Sequence, residues 1–152
     1  MSFGGSYQAP PVVMDTNVLV AAACRHEGSA AYAVLLGVLH KRVPLMMTEA
    51  IALEYLDVLQ RPRVQGVTGL SHKQSADLVT DLIALSHEVQ VNFAWRPNLA
   101  DESDNKFVEA AMHAGATIVT YNERDFLAGD LSRFGWSVTS PHEFATRYLM
   151  TE

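Results

Sequence analysis

Five acidic or amide side chains stand at or just beyond the ends of short apolar runs. Asp15 closes VVM (12–14), Glu54 lies in the segment after VPLMM (43–47), Asp104 follows VQVNF (89–93), and Asn122 and Asp125 follow TIVT (117–120). Carboxylates that face one another are unstable without a cation, and hard divalent ions such as Mg²⁺ and Mn²⁺ take such oxygen ligands. One or two ions held this way activate water and offset charge on a phosphodiester. Zinc fits poorly: Cys24 is the only cysteine, and the 6 histidines are scattered without ligand spacing. No glycine-rich phosphate loop and no G-x-S-x-G elbow is present.

Each residue also has a plainer reading. Asp15 can cap the helix that follows it. Asp101 and Asp104 can be the cap and third residue of a helix start, which is the preferred role for Asp101. Glu54 can be a solvated position on an amphipathic helix. Asp125 can cap a turn, and Thr120 and Asn122 can satisfy loop backbone. The signal is their shared location at strand ends, not any one residue.

The elements that must position them alternate along the chain. VVMD (12–15), VPLMM (43–47), VQVNF (89–93), TIVT (117–120) and WSVT (136–139) read as short strands. Helices are expected from about Ser29 to His40, from a Thr48 cap to a stop near Pro62, from a Ser71 cap through Leu85, from Asn105 to Gly115, and from about Pro141 to Leu149. A short segment is expected around 125–127. Strands alternating with helices predict a central, mostly parallel sheet with helices on both faces. In such sheets ligands gather beyond the carboxyl ends of the strands, where these acids stand.

The composition is globular: 152 residues, 49% hydrophobic and 18% charged. Residues 1–10 read as a flexible lead-in and 11–152 as one domain, with no secretory signal and no run long enough to span a bilayer. The cytoplasm is the default compartment. The net charge of −6 argues against broad charge-driven nucleic-acid binding, but acids gathered around a cation repel a phosphate less than the count suggests. Arg61, Arg63 and Arg124 can contact phosphates; for Arg61 and Arg63 an ordinary surface role is at least as good a reading.

VVMDTNVLVAA, TEAIALEYLDVLQRPR, DESDNKFVEAAMHAGATIVTYNERDF and TSPHEF, in that order, resemble a PIN (PilT N-terminus) domain of the bacterial toxin–antitoxin branch. The similarity spans residues 12 to 149. The D-T-N opening and the D-x-x-D-N-K-F segment carry it together. It implies a three-layer α/β/α sandwich and a Mg²⁺- or Mn²⁺-dependent endoribonuclease, the toxin of a type II pair. It maps the family acids onto Asp15, Glu54 and Asp104. In TYNERDF, Asn122 stands where an acid often does, and Asp125 is the choice for the fourth acid. Asn122 is then a neutral ligand, a water-orienting group or a substrate contact. Thr16 binds substrate phosphate or holds a neighbouring carboxylate. Thr120 and Arg124 join the substrate-binding set, while Asn17 fixes the loop through backbone hydrogen bonds.

The expected partners are an RNA substrate, an antitoxin and a second copy of the chain, with no membrane. The rival reading is a catalytically weak or inactive PIN-like module that binds RNA or protein. Receiver and dehalogenase-like phosphatase patterns are not met, because Asp15 is followed by Thr16 and Asn17.

Overall fold

A computed structural model describes residues 7–91, 105–126 and 135–150. Asp101 and Asp104 lie outside the described residues. The chain runs β1 (Val12–Met14), α1 (Thr16–Ala23), α2 (Ala30–Leu39), β2 (Met46–Met47), α3 (Glu49–Leu59), α4 (Pro62–Thr68), α5 (His72–Leu85), β3 (His87–Glu88), α6 (Asn105–Ala114), β4 (Thr117–Val119), α7 (Glu123–Phe126), β5 (Ser137–Thr139) and α8 (Pro141–Tyr148).

Among the described residues the strand pairs are parallel: β1 with β4, β4 with β5, and β2 with β3. A parallel bridge joins Val12 to Leu45, and the Val12 N–H donates to the Pro44 carbonyl at 2.9 Å. The strands therefore lie in the order β3-β2-β1-β4-β5. Connections run one way from β1 to β3 and the other way from β3 to β5. Right-handed crossovers then place α1–α5 on one face and α6 and α7 on the other. Accordingly α6 packs on β1, β2 and β4, while α2 packs against α1, α5 and α8. The result is the expected mixed α/β architecture with a parallel central sheet. The direction of winding reverses between β1 and β4, and this order opens a crevice there.

The strands are apolar because both faces are covered: Val12, Val13, Met14, Ile118 and Val119 are all buried. Helix starts follow local chemistry. The Thr48 hydroxyl accepts from the Ile51 N–H at 3.2 Å, and Ser71 forms a capping box with Gln74. Gly115 takes φ +62 as α6 ends, letting the Ala116 N–H close back on the Ala111 carbonyl at 2.9 Å.

Two expectations change. Pro62 does more than stop a helix: it is a first-turn residue of α4, where its fixed φ suits a start. In place of the strand expected at 89–93, β3 is His87–Glu88 and residues 89–91 are not strand, because α5 ends at Leu85 and the chain pairs with β2 at once. The His87 N–H donates to Leu45 at 2.8 Å and the Val89 N–H to Met47 at 2.9 Å; residues 92 and 93 lie outside the described set. Ahead of β1 the described residues make contacts with the rest of the chain. The Gln8 N–H donates to the Arg42 carbonyl at 2.8 Å, and the Tyr7 hydroxyl lies 3.0 Å from His87 Nε2. Among the described residues no helix is long and apolar enough to cross a membrane.

Candidate active site

The β1–β4 register sets Met14 opposite Val119, so the next residues, Asp15 and Thr120, emerge side by side at the carboxyl ends. Backbone bonds fix both: Asp15 N–H to Val119 O at 3.0 Å, and Thr120 N–H to Thr139 O at 3.0 Å. The Thr120 hydroxyl donates to Asp15 Oδ2 at 2.6 Å and accepts from the Asn122 N–H at 3.0 Å. Asp15 occupies the N-cap position of α1, yet its side chain makes no capping bond. Its carboxylate turns across the crevice to Thr120 instead. Asp15 is 6% exposed and Thr120 is fully buried.

The second wall is α3 against α6. Along α3, Ile51, Tyr55 and Leu59 face the core. Glu54 therefore sits at the boundary, with its carboxylate toward α1 and α6. The Thr16 hydroxyl donates to one Glu54 oxygen, and Lys106 Nζ, from the first turn of α6, meets the other at 2.6 Å. The buried Tyr55 hydroxyl donates to the Met14 carbonyl, pinning α3 to the strand end just before Asp15.

The rim is α7 and the turn before it. Asn122, Arg124 and Asp125 are exposed there. The Asp125 N–H donates to the Asn122 carbonyl at 3.0 Å, and the buried Phe126 packs edge-on against Phe107. Among the described residues no bond ties Arg124 to Asp15 or Glu54. Asn17 lies in the first turn of α1, not in a loop, and its buried Oδ1 has no partner among the described residues. Among the described residues the expected backbone bonds from that oxygen are not formed.

Electrostatics link the floor, wall and rim. Burial raises the Asp15 pKa above 3.8; the Thr120 hydroxyl and the Thr16 N–H oppose the rise, and the charges of Glu54 and Asp125 add to it. Burial also pushes the Tyr55 phenol well above its ordinary range, with Asp15 and Glu54 adding to the effect. Asp15, Glu54 and Asp125 thus share one field although they come from three elements. Among the described residues no three acidic, histidine or cysteine side chains form a ready-made cage for a metal. The donor chemistry nonetheless suits a hard divalent cation, because a buried carboxylate facing other carboxylates is relieved by one.

Two residues here had no role in the sequence reading. Lys106 was visible in D-N-K-F, but its meeting with Glu54, 52 residues away, depends on how α3 and α6 pack. Tyr55 read only as apolar coverage of its helix.

Over residues 11–124 the chain matches the family described as the PIN domain. No curated protein matches it. A solved structure, the crystal structure of VapBC2 from Rickettsia felis bound to a DNA fragment from their promoter, contains a similar chain. The TM-score is 0.55 at 14% identity, covering 86% of this chain and 98% of that one, which is a likeness of fold.

Proposed function

Because the chain belongs to the PIN domain family, we propose that it is a metal-dependent endoribonuclease that hydrolyses RNA phosphodiester bonds. The observation that carries this reading is the buried Asp15 at the β1–β4 reversal, its pKa raised by burial and further by the charges of Glu54 and Asp125. Holding several acids this way costs stability, and binding a cation gives that cost a use.

In this reading Asp15, Glu54, Asp104 and Asp125 hold one or two Mg²⁺ or Mn²⁺ ions, with Asn122 as a neutral ligand or substrate contact. A bound cation would supply an acidified water and a counter-charge for oxygen charge developing at phosphorus. The chain's own residues do the positioning. Thr120 holds the Asp15 carboxylate in one orientation, and Thr16 does the same for Glu54. Lys106 neutralises Glu54 and keeps a positive charge beside the site. Arg124 contributes a phosphate contact from the rim. Asp101 supports the local backbone. No side-chain nucleophile is required.

The motif resemblance further supports a toxin of a type II toxin–antitoxin pair, working in the cytoplasm as a homodimer with an antitoxin over the acidic pocket. The structural likeness to a chain from VapBC2 is in keeping with that setting. The test is cleavage of structured and single-stranded RNA with Mn²⁺ by wild type, Asp15→Asn and Asp104→Asn. Wild-type cleavage lost in both variants is expected; undiminished activity in both ends the assignment.

A second reading, a PIN-like binding module without turnover, is favoured by Asn122 standing in place of an acid and by both Glu54 oxygens being engaged. Calorimetric titration of Mn²⁺ separates the two: a module of that kind shows no binding site.

A further inference from the structure

The acidic site opens into a groove of about 550 Å³ that runs out along α3. Thr16, Glu54 and Lys106 line its inner end, and Leu53, Asp57 and Arg61 line its outer reach. Glu54 and Asp57 sit three residues apart on α3, away from the buried Ile51, Tyr55 and Leu59, and Arg61 follows just past the end of that helix as the N-cap residue of α4.

The two cations of the groove are held very differently. Lys106 pairs with Glu54 at 2.6 Å, with side chains only 25% and 22% exposed. Arg61 pairs with Asp57 at 2.7 Å, with side chains 58% and 67% exposed. An exposed pair of the second kind contributes little and is readily exchanged for another anion. Arg61 is thus pre-aimed by Asp57 but not committed to it. Its guanidinium can take a phosphate in bidentate fashion. Among the described residues no aromatic side chain lines the groove, and its exchangeable arginine suits a phosphate of the backbone.

We propose that this groove carries the single strand of RNA leaving the acidic site, and that Arg61 binds a phosphate beside the one cleaved. This rests on the nuclease reading above. Continuity of the groove with the acidic site and the placement of its exchangeable cation favour a nucleic-acid strand. Arg61 makes no side-chain capping bond to α4, so its replacement leaves the helix start intact.

The test measures binding of a single-stranded RNA oligonucleotide to the full chain, in chelator, across a salt series. Arg61→Gln is compared with Arg63→Gln, an exposed arginine outside the groove. Arg61→Gln is expected to weaken binding roughly three- to tenfold and to flatten the salt slope by about 0.7, the contribution of one phosphate on a single strand. Arg61→Lys should keep the slope, and Arg63→Gln should match wild type. An unchanged slope in Arg61→Gln, or equal losses in both Gln variants, overturns the proposal. So does an Arg61→Gln that spares RNA and loses only an acidic peptide. If wild type cleaves RNA and Arg61→Gln behaves like it, this inference alone fails. A wild type that neither binds nor cleaves removes the nuclease reading as well.

Discussion

The floor of the site and its rim are built on opposite terms. Asp15 and Thr120 leave adjacent parallel strands, are buried, and are locked to each other at 2.6 Å. Asn122, Arg124 and Asp125 ride on the four-residue α7 and the turn before it, in solvent, with Phe126 as the buried anchor. A carboxylate on the floor is therefore costly and oriented, whereas one on the rim is solvated and less constrained. If the two regions share one function, substitutions on the floor should move stability and activity together, and those on the rim should move activity with little effect on stability.

The largest effect belongs to Asp15. Its folded pKa is raised above 3.8, with burial the first cause. The folded chain holds this proton more tightly than the unfolded chain does. That contribution is fully present below 3.8 and is lost as pH rises through the folded value. At neutral pH the ionised Asp15 works against the fold. Asp15→Asn should thus lower cleavage by roughly 100-fold or more while raising the melting temperature of the metal-free protein at pH 7. The gap in melting temperature should narrow as the pH is lowered toward 4. A metal-free Asp15→Asn that melts below wild type at pH 7 would break the account of the floor.

Thr120 comes next. Thr120→Val removes a donor to a buried carboxylate and the acceptor for the Asn122 N–H. The expected cost is about 1.5–3 kcal/mol in chemical denaturation, the range for a hydrogen bond to a charged group. Cleavage should fall about 10- to 100-fold, as when a ligand's supporting partner is lost. Thr120→Ser should recover most of both. Because Thr120 opposes the rise in the Asp15 pKa, the valine variant should also shift the stability-against-pH curve of the metal-free protein toward higher pH.

The same contrast explains what could be read from the sequence. The floor was legible because strand ends follow from local pattern: VVM before Asp15 and TIV before Thr120 are apolar runs that a two-faced sheet demands, and Thr48 and Ser71 announce their helices by capping chemistry. The wall was only half legible. Glu54 could be placed on α3, but its partners come from α1 and α6, and tertiary packing decides such meetings. Pro62 shows a different limit, since the same residue favours the end of one helix and the start of the next, and only the chain's path selects between them. At β3 the apolar alternation of 89–93 outweighed the polar His87 and Glu88, yet the ladder goes where the two-residue β2 offers partners.

The smallest effects are expected at the rim, where they bear on the open question of the fourth acid. Asn122 and Asp125 are both exposed, and the Asn122 backbone is fixed by Thr120 and by the Asp125 N–H. Neither Asn122→Asp nor Asp125→Asn should shift stability by more than about 0.5 kcal/mol, as for surface positions generally. Their effects on Mn²⁺ binding should differ. If Asp125 is the working acid, Asp125→Asn weakens Mn²⁺ about 10-fold, and Asn122→Asp changes it little. If position 122 is where the ligand belongs, Asn122→Asp tightens Mn²⁺ and raises cleavage. The double exchange, Asn122→Asp with Asp125→Asn, then restores what the single loss removed. Calorimetric titration of all three variants decides between these outcomes. A rim that alters stability as strongly as Thr120→Val would show that α7 is part of the rigid floor, and the division between the two regions would fall.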